Sequence, residues 1–359
     1  MHGGRNIRMQ SPLPVFINGR FMGQPVTGLQ RYAFEVSRRL TDPDNARDFD
    51  IGSIRFLTTQ AENPGWVRRN IWEQADLLAQ SFRGVLFSPC NVGPWLHPNH
   101  LVVMHDIRVF AKGHTRAFPG TTRAYLRASC RVLSKTAKRI LTVSDYSKSR
   151  IIETFGVAEE KVTVVYPGAD HVLGVQPDED VIHRLKLGHR KYILAVNSLM
   201  PHKNLAILHS INWKKYDLQL CIVGGAPEKW GSTLQQIVER NIIYAGRISD
   251  SEVKALYTHA LAYIFPSLYE GFGIPPLEAM HCGCPVIASN RTSIPEVCGD
   301  AALYFDPTST ENLQLEVERI LLDEKLREGL IYNGHQRAQL FRWDTTAKRI
   351  ASTIKKLQE

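Results

Sequence analysis

The stretch that decides the fold is "LAYIFPSLYEGFGIPPLEAMHCGCPVIAS", residues 261–289. It begins with an apolar run at 261–267, rich in β-branched and aromatic residues, that is typical of a buried strand. A glycine-rich turn follows, and Pro275 and Pro276 preset the first turn of a helix. A second strand-like run lies at 285–289. A strand, a helix and a further strand in this order predict a parallel sheet with a crossover helix.

Similar units fill the rest of the chain, because short apolar runs alternate with segments of helical period. The strand candidates are 15–19, 53–58, 84–88, 101–105, 139–144, 162–167, 192–198, 218–224, 242–246, 261–267 and 285–289. Residues 167–188, with two prolines, three glycines and four acidic residues, are the best linker candidate, and 309–357 is helical in pattern. We predict two doubly wound α/β domains in tandem, with ligand sites at strand carboxyl ends facing a cleft.

The composition is that of a packed globular protein, with 43% hydrophobic and 22% charged residues in a chain of 359. This length fits about two domains of roughly 150 residues each. No apolar run approaches the roughly 20 residues that span a bilayer, and the first residues lack the apolar core of a secretory signal. The six cysteines are scattered without a C-x-x-C pair, which favours reduced thiols. We therefore expect a cytoplasmic protein.

The net charge of +9 lies entirely in the first 170 residues, where 23 Lys and Arg stand against 14 Asp and Glu. Within that part Arg123, Arg127, Arg131 and Lys135 recur at intervals of four, which places them in one basic stripe on a helix. The stripe can be a solvated surface, or it can contact an anionic membrane or a phosphate-bearing acceptor. Nucleic acid is disfavoured as a partner, because no aromatic-interleaved basic motif or zinc-ligand spacing accompanies the charge.

The turn inside 261–289 has the features of an anion site. Gly271 and Gly273 let a ligand approach the backbone closely, and the N–H groups and dipole of the following helix suit a diphosphate. Glu270 and Glu278 would repel that anion, so sugar or ribose hydroxyls are their natural partners, since carboxylates accept hydrogen bonds in pairs. The alternative is structural: Glu278 complements only the helix N-terminus, and Glu270 is a solvated loop residue.

The motif around these glutamates resembles a known family signature. The pattern E-G-F-G-I-P-P-L-E at 270–278, followed by A-M-x-C-G-C-P-V-I-A-S, resembles the E-x7-E motif of family 4 retaining glycosyltransferases, including bacterial mannosyltransferases of surface polysaccharide synthesis. The segments that agree with the family in order are 18–36, 102–110, 141–157, 162–170, 198–204 and 244–257.

The resemblance implies the GT-B fold, in which two Rossmann-like domains face a cleft. Residues 1–170 then form an N-terminal acceptor-binding domain, and 171–340 form the nucleotide-sugar domain. The last segment, 341–359, is expected to be a helix that crosses back and packs on the N-terminal domain.

The resemblance also implies roles within the motif. Glu270 binds hydroxyl groups of the transferred sugar, and Glu278 binds the ribose diol of the nucleotide. Phe272, Gly273 and Ile274 offer backbone N–H groups to the diphosphate and the sugar.

Two residues outside the motif match catalytic positions of the family. Lys203 corresponds to the lysine that neutralises the diphosphate, and His105 to the histidine that contacts the transferred sugar. Without the resemblance, Lys203 is an ordinary surface lysine at a helix start and His105 a structural histidine after a strand. With Glu270, these two are the candidate catalytic residues.

Two further segments match donor-binding parts of the family. Thr27 and Gly28 match the loop of the first domain that closes over phosphate and acceptor, where the alternative is an ordinary helix N-cap. Gly246, Arg247 and Ile248 match the segment that grips the base, where the alternative is a simple strand end.

The chain departs from the family at the diphosphate. Ser198 stands where many relatives have an arginine, and His202 where a subset has one. The second positive partner of the diphosphate is therefore open, with His202 and Arg247 as candidates.

The mechanism implied by the resemblance needs neither a protein base nor a metal, and we expect no cofactor. The leaving diphosphate accepts the proton of the acceptor while the new bond forms on the same face of the sugar. The protein stabilises the leaving charge and the oxocarbenium-like ring. The D-x-D spots at 42–44, 48–50 and 178–180 lie in polar connectors rather than at strand ends, which disfavours the metal-dependent alternative.

The donor and acceptor are expected from resemblance and charge. GDP-mannose is the first candidate donor, ahead of UDP-glucose or a UDP-N-acetylhexosamine. The basic first half favours docking on the inner face of the plasma membrane, where the enzyme would extend a polyprenyl-diphosphate-linked oligosaccharide.

Three rival classes fit less well. A nucleotide-sugar epimerase shares the architecture but does not need the two glutamates in this setting. A dinucleotide-dependent dehydrogenase is disfavoured, because no G-x-G-x-x-G follows the first strand and the glycine turn at 223–231 is incomplete. A non-catalytic sugar-binding or scaffold protein of this fold would most simply lack Glu270, Lys203 or His105, and all three are present.

Overall fold

The computed structural model describes residues 12–59, 65–111, 113, 119–188, 191–196, 198, 200–224 and 241–359, without the side chains of 45–47. In this part of the chain the strands form two six-stranded sheets. The strands of the first sheet are β1 (Val15–Asn18), β2 (Ile54–Leu57), β3 (Val85–Ser88), β4 (His100–Val103), β5 (Arg139–Thr142) and β6 (Val162–Val164). Those of the second sheet are β7 (Tyr192–Val196), β8 (Gln219–Val223), β9 (Ile242–Gly246), β10 (Ala262–Phe265), β11 (Val286–Ser289) and β12 (Ala302–Phe305).

Both sheets are parallel and doubly wound, as predicted. Their strand orders are β2-β1-β3-β4-β5-β6 and β12-β11-β10-β7-β8-β9, and each neighbouring pair is parallel. The order reverses between β1 and β3 in the first sheet and between β7 and β10 in the second. In such sheets, ligands bind outside the strand carboxyl ends at these reversals.

All eleven predicted strand segments contain a strand, but β12 was missed. It is a four-residue edge strand paired with β11, and its length is that of most of the other strands.

The helices of the described residues cover both faces of the sheets. They are α1 (Gly28–Thr41), α2 (Pro43–Phe49), α3 (Trp66–Gln74), α4 (Asp76–Ser81), α5 (Gly120–Thr136), α6 (Asp145–Phe155), α7 (Asp180–Arg184), α8 (Ala206–His209), α9 (Asp250–His259), α10 (Ile274–His281), α11 (Ile294–Cys298), α12 (Thr310–Leu322), α13 (Glu324–Ala338) and α14 (Trp343–Gln358). Short 3-10 turns lie at Gly19–Phe21, Arg108–Phe110, Glu159–Lys161, Asp170–Gly174, Pro201–Lys203 and Trp213–Tyr216.

The last helix crosses back to the first domain, as expected. α14 buries the stripe Trp343, Ala347, Ile350, Ala351 and Ile354, which recurs with helical period, and packs against α1. The segment predicted as a linker leaves β6 and runs through the 3-10 turn Asp170–Gly174 and α7 before the second sheet begins. The two sheets are therefore joined by two stretches of chain, one on the way out and one on the way back.

Candidate active site

The predicted site residues follow the carboxyl ends of their strands. His105 lies just after β4, Lys203 lies in the turn after β7, and Glu270 follows β10. Gly246 is the last residue of β9. Because the carboxyl ends of parallel strands meet at one edge of a sheet, these residues border the cleft between the two domains.

Lys203 and Glu270 form an ion pair. Lys203 Nζ lies 2.6 Å from Glu270 Oε1, and the two side chains are 19% and 11% exposed. The turn that carries Lys203 ends at Asn204, whose φ of 54° is left-handed and whose amide donates to the carbonyls of Pro266 and Pro307 at 3.2 and 2.7 Å. These bonds tie the lysine turn to the segment that leads into Glu270.

Hydroxyl groups hold the glycine turn from within the second domain. Thr292 Oγ1 accepts a hydrogen bond from the Glu270 N–H at 3.1 Å. Ser293 Oγ lies 3.1 Å from the carbonyl oxygen of Glu270 and 3.0 Å from that of Phe272. The backbone of the turn is therefore fixed by the residues that immediately precede α11.

The start of α10 carries few backbone N–H groups. Gly273 is the N-cap, with a left-handed φ of 108° that favours glycine. Pro275 and Pro276 follow Ile274 and carry no N–H, so the first turn can offer few donors. Binding of a ligand by the N–H groups of Phe272, Gly273 and Ile274 stays a prediction.

The glycine turn also contacts the first domain directly. A Cβ at Gly271 would lie 2.2 Å from the carbonyl oxygen of His105. This distance is too short for any residue that has a side chain. The Gly271 carbonyl accepts a hydrogen bond from Ser144 Oγ at 2.6 Å, and Ser147 Oγ lies 3.1 Å from it. Glycine at this position therefore lets the two domains meet at the cleft.

A carboxylate of the second domain caps a helix of the first. Glu296 on α11 accepts hydrogen bonds from the N–H groups of Asp145 and Tyr146 at 2.7 and 3.0 Å. A carboxylate at this position satisfies the first N–H groups of α6 and complements the helix dipole.

His105 is held as a neutral ring with a defined tautomer. Burial lowers the pKa of His105 below its usual 6.5. Its Nε2–H donates to the carbonyl of Pro89 at 2.7 Å, and the ring lies edge-on to Tyr32 at 4.6 Å between centroids. A carbonyl can only accept, so Nδ1 carries the lone pair and can accept a hydrogen bond from a sugar hydroxyl.

Glu278 faces a histidine rather than capping its own helix. Its Oε1 lies 3.0 Å from His171 Nε2, and the Tyr257 hydroxyl lies 3.5 Å from Oε2. Burial raises the pKa of Tyr257 well above 10.0, so this hydroxyl remains a donor toward the carboxylate. Glu278 therefore has side-chain partners outside its own helix, and its role at the ribose stays a prediction.

The start of α1 comes close to the predicted base-binding segment. Thr27 occupies the N-cap position before Gly28, but its hydroxyl contacts the Gln30 side chain instead of capping the helix. Arg31 on α1 pairs with Asp250, four residues after Gly246. This ion pair spans the cleft beside Arg247, which is exposed, and Ile248, which is partly buried.

Ser198 and His202, the positions where relatives have an arginine, lie in different surroundings. Ser198 is exposed just after β7. His202 is 2% exposed, and its Nε2 contacts the guanidinium of Arg108. Arg108 comes from the first domain, three residues after His105, and it was missed because only the histidine of that segment was assigned a role. A cation from the opposite domain therefore lies beside the residue that precedes Lys203.

The basic stripe of α5 is only partly exposed. Arg127 Nε donates to the carbonyl of Val109 at 2.8 Å, and the Arg127 and Arg131 guanidinium groups lie 5.8 and 5.0 Å from the centroid of the Phe110 ring. Arg131 and Lys135 are exposed, and Arg123 is half-buried. Arg127 thus supports the loop after His105 as well as contributing charge.

The described ranges contain no cluster of metal ligands and no helix that could span a membrane. No group of three or more His, Cys, Asp or Glu in them is arranged to hold a metal ion. No helix in the same ranges has the length and apolar character needed to cross a bilayer. The six cysteines are free thiols.

Sequence comparisons identify the family. The family model described as Glycosyltransferase Family 4 matches residues 49–173, and the one described as Glycosyl transferases group 1 matches residues 178–337. O-antigen chain mannosyltransferase B of Escherichia coli is 31% identical over 373 residues, covering 93% of this chain and 97% of its own length. The chain belongs to glycosyltransferase family 4. O-antigen chain mannosyltransferase RfbU of Salmonella typhimurium is 33% identical to this glycosyltransferase over 233 residues, covering 62% of this chain and 61% of RfbU.

Solved structures share the fold of this glycosyltransferase. Anabaena HepE, solved with UDP and glucose, superposes with a TM-score of 0.73 at 17% identity and covers 96% of this chain and 100% of its own. WaaG, a glycosyltransferase involved in lipopolysaccharide biosynthesis, gives 0.70 at 18% identity over 95% and 99%. The two facing doubly wound domains are thus the GT-B fold.

Proposed function

We propose that this glycosyltransferase transfers mannose from GDP-mannose, with retention of the anomeric configuration, to a lipid-linked glycan in bacterial surface polysaccharide synthesis. The observation that carries a transfer reaction is the Lys203–Glu270 pair, at 2.6 Å, beside the glycine turn and the start of α10. Mannose is supported by relatives, among them a GDP-mannose-dependent mannosyltransferase of Mycobacterium tuberculosis that is 28% identical over 274 residues, 69% of each chain.

In this proposal, binding of the donor breaks the ion pair between Lys203 and Glu270 and gives each side chain a new partner. The diphosphate takes over Lys203, together with the N–H groups at Phe272, Gly273 and Ile274, as anions bind at helix starts. Glu270 then accepts hydrogen bonds from the hydroxyls of the sugar. After the exchange Lys203 still faces an anion, and Glu270 keeps hydrogen-bond donors as partners, although it no longer faces a cation.

Arg108 is the second cation for the diphosphate. Its guanidinium comes from the opposite domain and contacts His202, the residue that precedes Lys203. A planar guanidinium matches the oxygens of a diphosphate in a bidentate way that the imidazole of His202 cannot. Arg108 therefore takes the role of the arginine that Ser198 replaces, and these cations do the work that a metal ion would do. EDTA is expected to leave the transfer rate unchanged.

The chemical step uses the leaving group as the base. An oxygen of the departing diphosphate accepts the hydroxyl proton of the acceptor while the acceptor oxygen bonds to the anomeric carbon on the same face. His105 Nδ1 accepts a hydrogen bond from a sugar hydroxyl and holds the ring in place. The positive groups at the diphosphate stabilise the charge that develops there.

The acceptor side docks on the inner face of the membrane through the exposed end of the α5 stripe. Arg131 and Lys135 are exposed there, and Arg123 adds charge at the same helix. Each basic residue near an anionic surface contributes about 1 kcal/mol of binding. We expect Arg131→Glu/Lys135→Glu to weaken cosedimentation with vesicles containing anionic lipid, without lowering Tm. Equal binding of both proteins at low salt would contradict the docking.

The donor is tested by binding and turnover. GDP-mannose, UDP-glucose and UDP-N-acetylglucosamine are compared by thermal shift and calorimetry with the wild type and Glu278→Gln. GDP-mannose should raise the Tm of the wild type most, and Glu278→Gln should reduce that shift. Transfer to a polyprenyl-diphosphate-linked glycan, with NMR of the new linkage, then reports retention.

Three results would overturn parts of the proposal. A larger shift with a UDP-sugar would replace the donor but keep the reaction class. Binding without turnover on any glycan acceptor would favour a non-catalytic binding protein. Absence of a shift with every nucleotide sugar would refute the transferase itself.

A further inference from the structure

The two segments that connect the domains are in direct contact where residues 168–171 meet residues 341–343, and we call this contact the crossing. The Ala169 N–H donates to the Phe341 carbonyl at 3.1 Å, and the Trp343 N–H donates to Asp170 Oδ1 at 2.9 Å. A Cβ at Gly168 would lie 2.2 Å from the backbone nitrogen of Trp343. The outgoing and returning segments are thus packed against each other as tightly as a backbone allows.

His171 stands at this crossing and reaches the nucleotide side of the site. Trp343 Nε1–H donates to His171 Nδ1 at 3.1 Å, and His171 Nε2 lies 3.0 Å from Glu278 Oε1. An indole N–H can only donate, so Nδ1 must accept and the neutral ring must carry its proton on Nε2. The crossing therefore fixes the one neutral tautomer of His171 that donates to Glu278.

These contacts hold the Glu278 carboxylate but leave some of its hydrogen-bond acceptor positions for a ligand. A carboxylate offers about four acceptor positions. His171 takes one on Oε1, and the Tyr257 hydroxyl, at 3.5 Å from Oε2, is at the outer limit of a hydrogen bond. Two positions, one on each oxygen, are enough for a vicinal diol.

The same tryptophan also contacts the other end of the site. The Trp343 ring lies edge-on to Tyr32, with centroids 5.8 Å apart, and Tyr32 lies edge-on to His105 at 4.6 Å. Trp343 and Tyr32 are fully buried. A continuous run of packed rings thus joins His105 in the first domain to Glu278 in the second through the crossing.

We propose that His171 is a positioning residue for the nucleotide, which orients Glu278 toward the ribose diol, and that Trp343 holds His171 in the donating tautomer. The proposal rests on the proposed function, because it presumes that a nucleotide binds here. The contact between the two connections thereby determines the orientation of the Glu278 carboxylate toward the ribose. The part of the chain that joins the domains therefore also positions the donor.

The test measures ribose discrimination, which a merely structural residue would not change. The nucleoside diphosphate among GDP, UDP and ADP that binds the wild type most tightly is compared with its 2′-deoxy and 3′-deoxy forms by calorimetry. Hydrogen bonds to a charged group correspond to roughly 10- to 100-fold in affinity, so the wild type should discriminate by about that factor. His171→Leu should reduce the discrimination to within about threefold, and Glu278→Gln should do the same.

Two variants separate orientation from packing. His171→Gln retains an N–H near the position of Nε2 and should restore most of the discrimination. Trp343→Phe keeps an aromatic ring but removes the indole donor, and should lose part of the discrimination even where its Tm is close to that of the wild type. In a double-mutant cycle, His171→Leu and Glu278→Gln should not be additive, because both remove one interaction.

His259 provides the control, because it is a surface histidine that also faces a glutamate. His259 Nε2 lies 2.6 Å from Glu179 Oε2 on the surface, with both side chains about half exposed, and His259→Leu should leave the discrimination unchanged. If Glu278→Gln abolishes discrimination and His171→Leu does not, the positioning role is refuted while the proposed function stands. If no nucleoside diphosphate binds the wild type, the proposed function fails and this inference fails with it.

Discussion

Replacing Gly271 by alanine places a methyl group in the contact between the two domains. The new Cβ would lie 2.2 Å from the His105 carbonyl oxygen and 3.1 Å from Asp106 Cβ, whereas ordinary contacts begin near 3.4 Å. The two backbones must therefore separate by about 1 Å. The φ of Gly271 is not left-handed, so alanine brings no backbone strain of its own and the substitution isolates the steric effect.

The separation should reduce catalysis more than donor binding. A misplacement of about 1 Å between reacting groups can cost on the order of 100-fold in rate, and His105 moves away from a donor held by the second domain. Overpacking of this kind typically costs about 1–3 kcal/mol in the free energy of unfolding. We expect kcat/KM to fall about 100-fold and the nucleotide Kd to change by much less.

The assay combines transfer kinetics, calorimetry with the nucleoside diphosphate and thermal unfolding. Gly329→Ala is the matched control, because Gly329 is exposed in the middle of α13 and its added Cβ meets nothing within 4 Å. That substitution should stabilise the helix by up to about 1 kcal/mol and leave transfer unchanged. A Gly271→Ala enzyme with the kinetics and Tm of the wild type would refute the close approach of Gly271 to His105.

Three further changes have defined outcomes. If Lys203 stabilises the leaving diphosphate as proposed, Lys203→Ala should lower kcat by roughly 100- to 1,000-fold in the transfer assay. Arg108→Gln should weaken nucleoside diphosphate binding about 10-fold or more by calorimetry, and Arg108→Lys should recover only part of it. Burial lowers the pKa of His100 from 6.5 to about 3, so its folded state resists a proton that the unfolded state accepts. This stability is present above pH 6.5 and should fall by about 2 kcal/mol by pH 5 in urea unfolding, a loss that His100→Gln removes.

The pattern of the sequence was sufficient for the fold because parallel strands buried on both faces are continuous apolar runs. Every such run that was predicted contains a strand. β12 was missed although its four residues are apolar and three of them are buried, so its edge position does not explain the omission.

The candidate site could be predicted where its residues lie close together on one stretch of the chain. Glu270 and Glu278 flank a glycine turn on one continuous stretch, so their spacing suggested an anion site with diol partners, and the family resemblance assigned the sugar and the ribose. Lys203 and Glu270 were predicted to share the site, and they form an ion pair at 2.6 Å. The hydroxyls of Thr292 and Ser293 were not predicted, because serine and threonine before a short helix usually act only as caps.

What the sequence could not reveal are the contacts made when distant segments cross. His171 lies in a stretch whose prolines, glycines and acidic residues indicate only a linker, and its partner Trp343 is 172 residues away. Neither residue has a local pattern that points to a nucleotide, since the tautomer of His171 exists only once the indole N–H is beside it. The same holds for Arg108, whose proximity to His202 requires the two domains to face each other. Residues that position a ligand through another residue obtain their role from the topology. They are found by following the hydrogen bonds outward from the residues that the motif does identify.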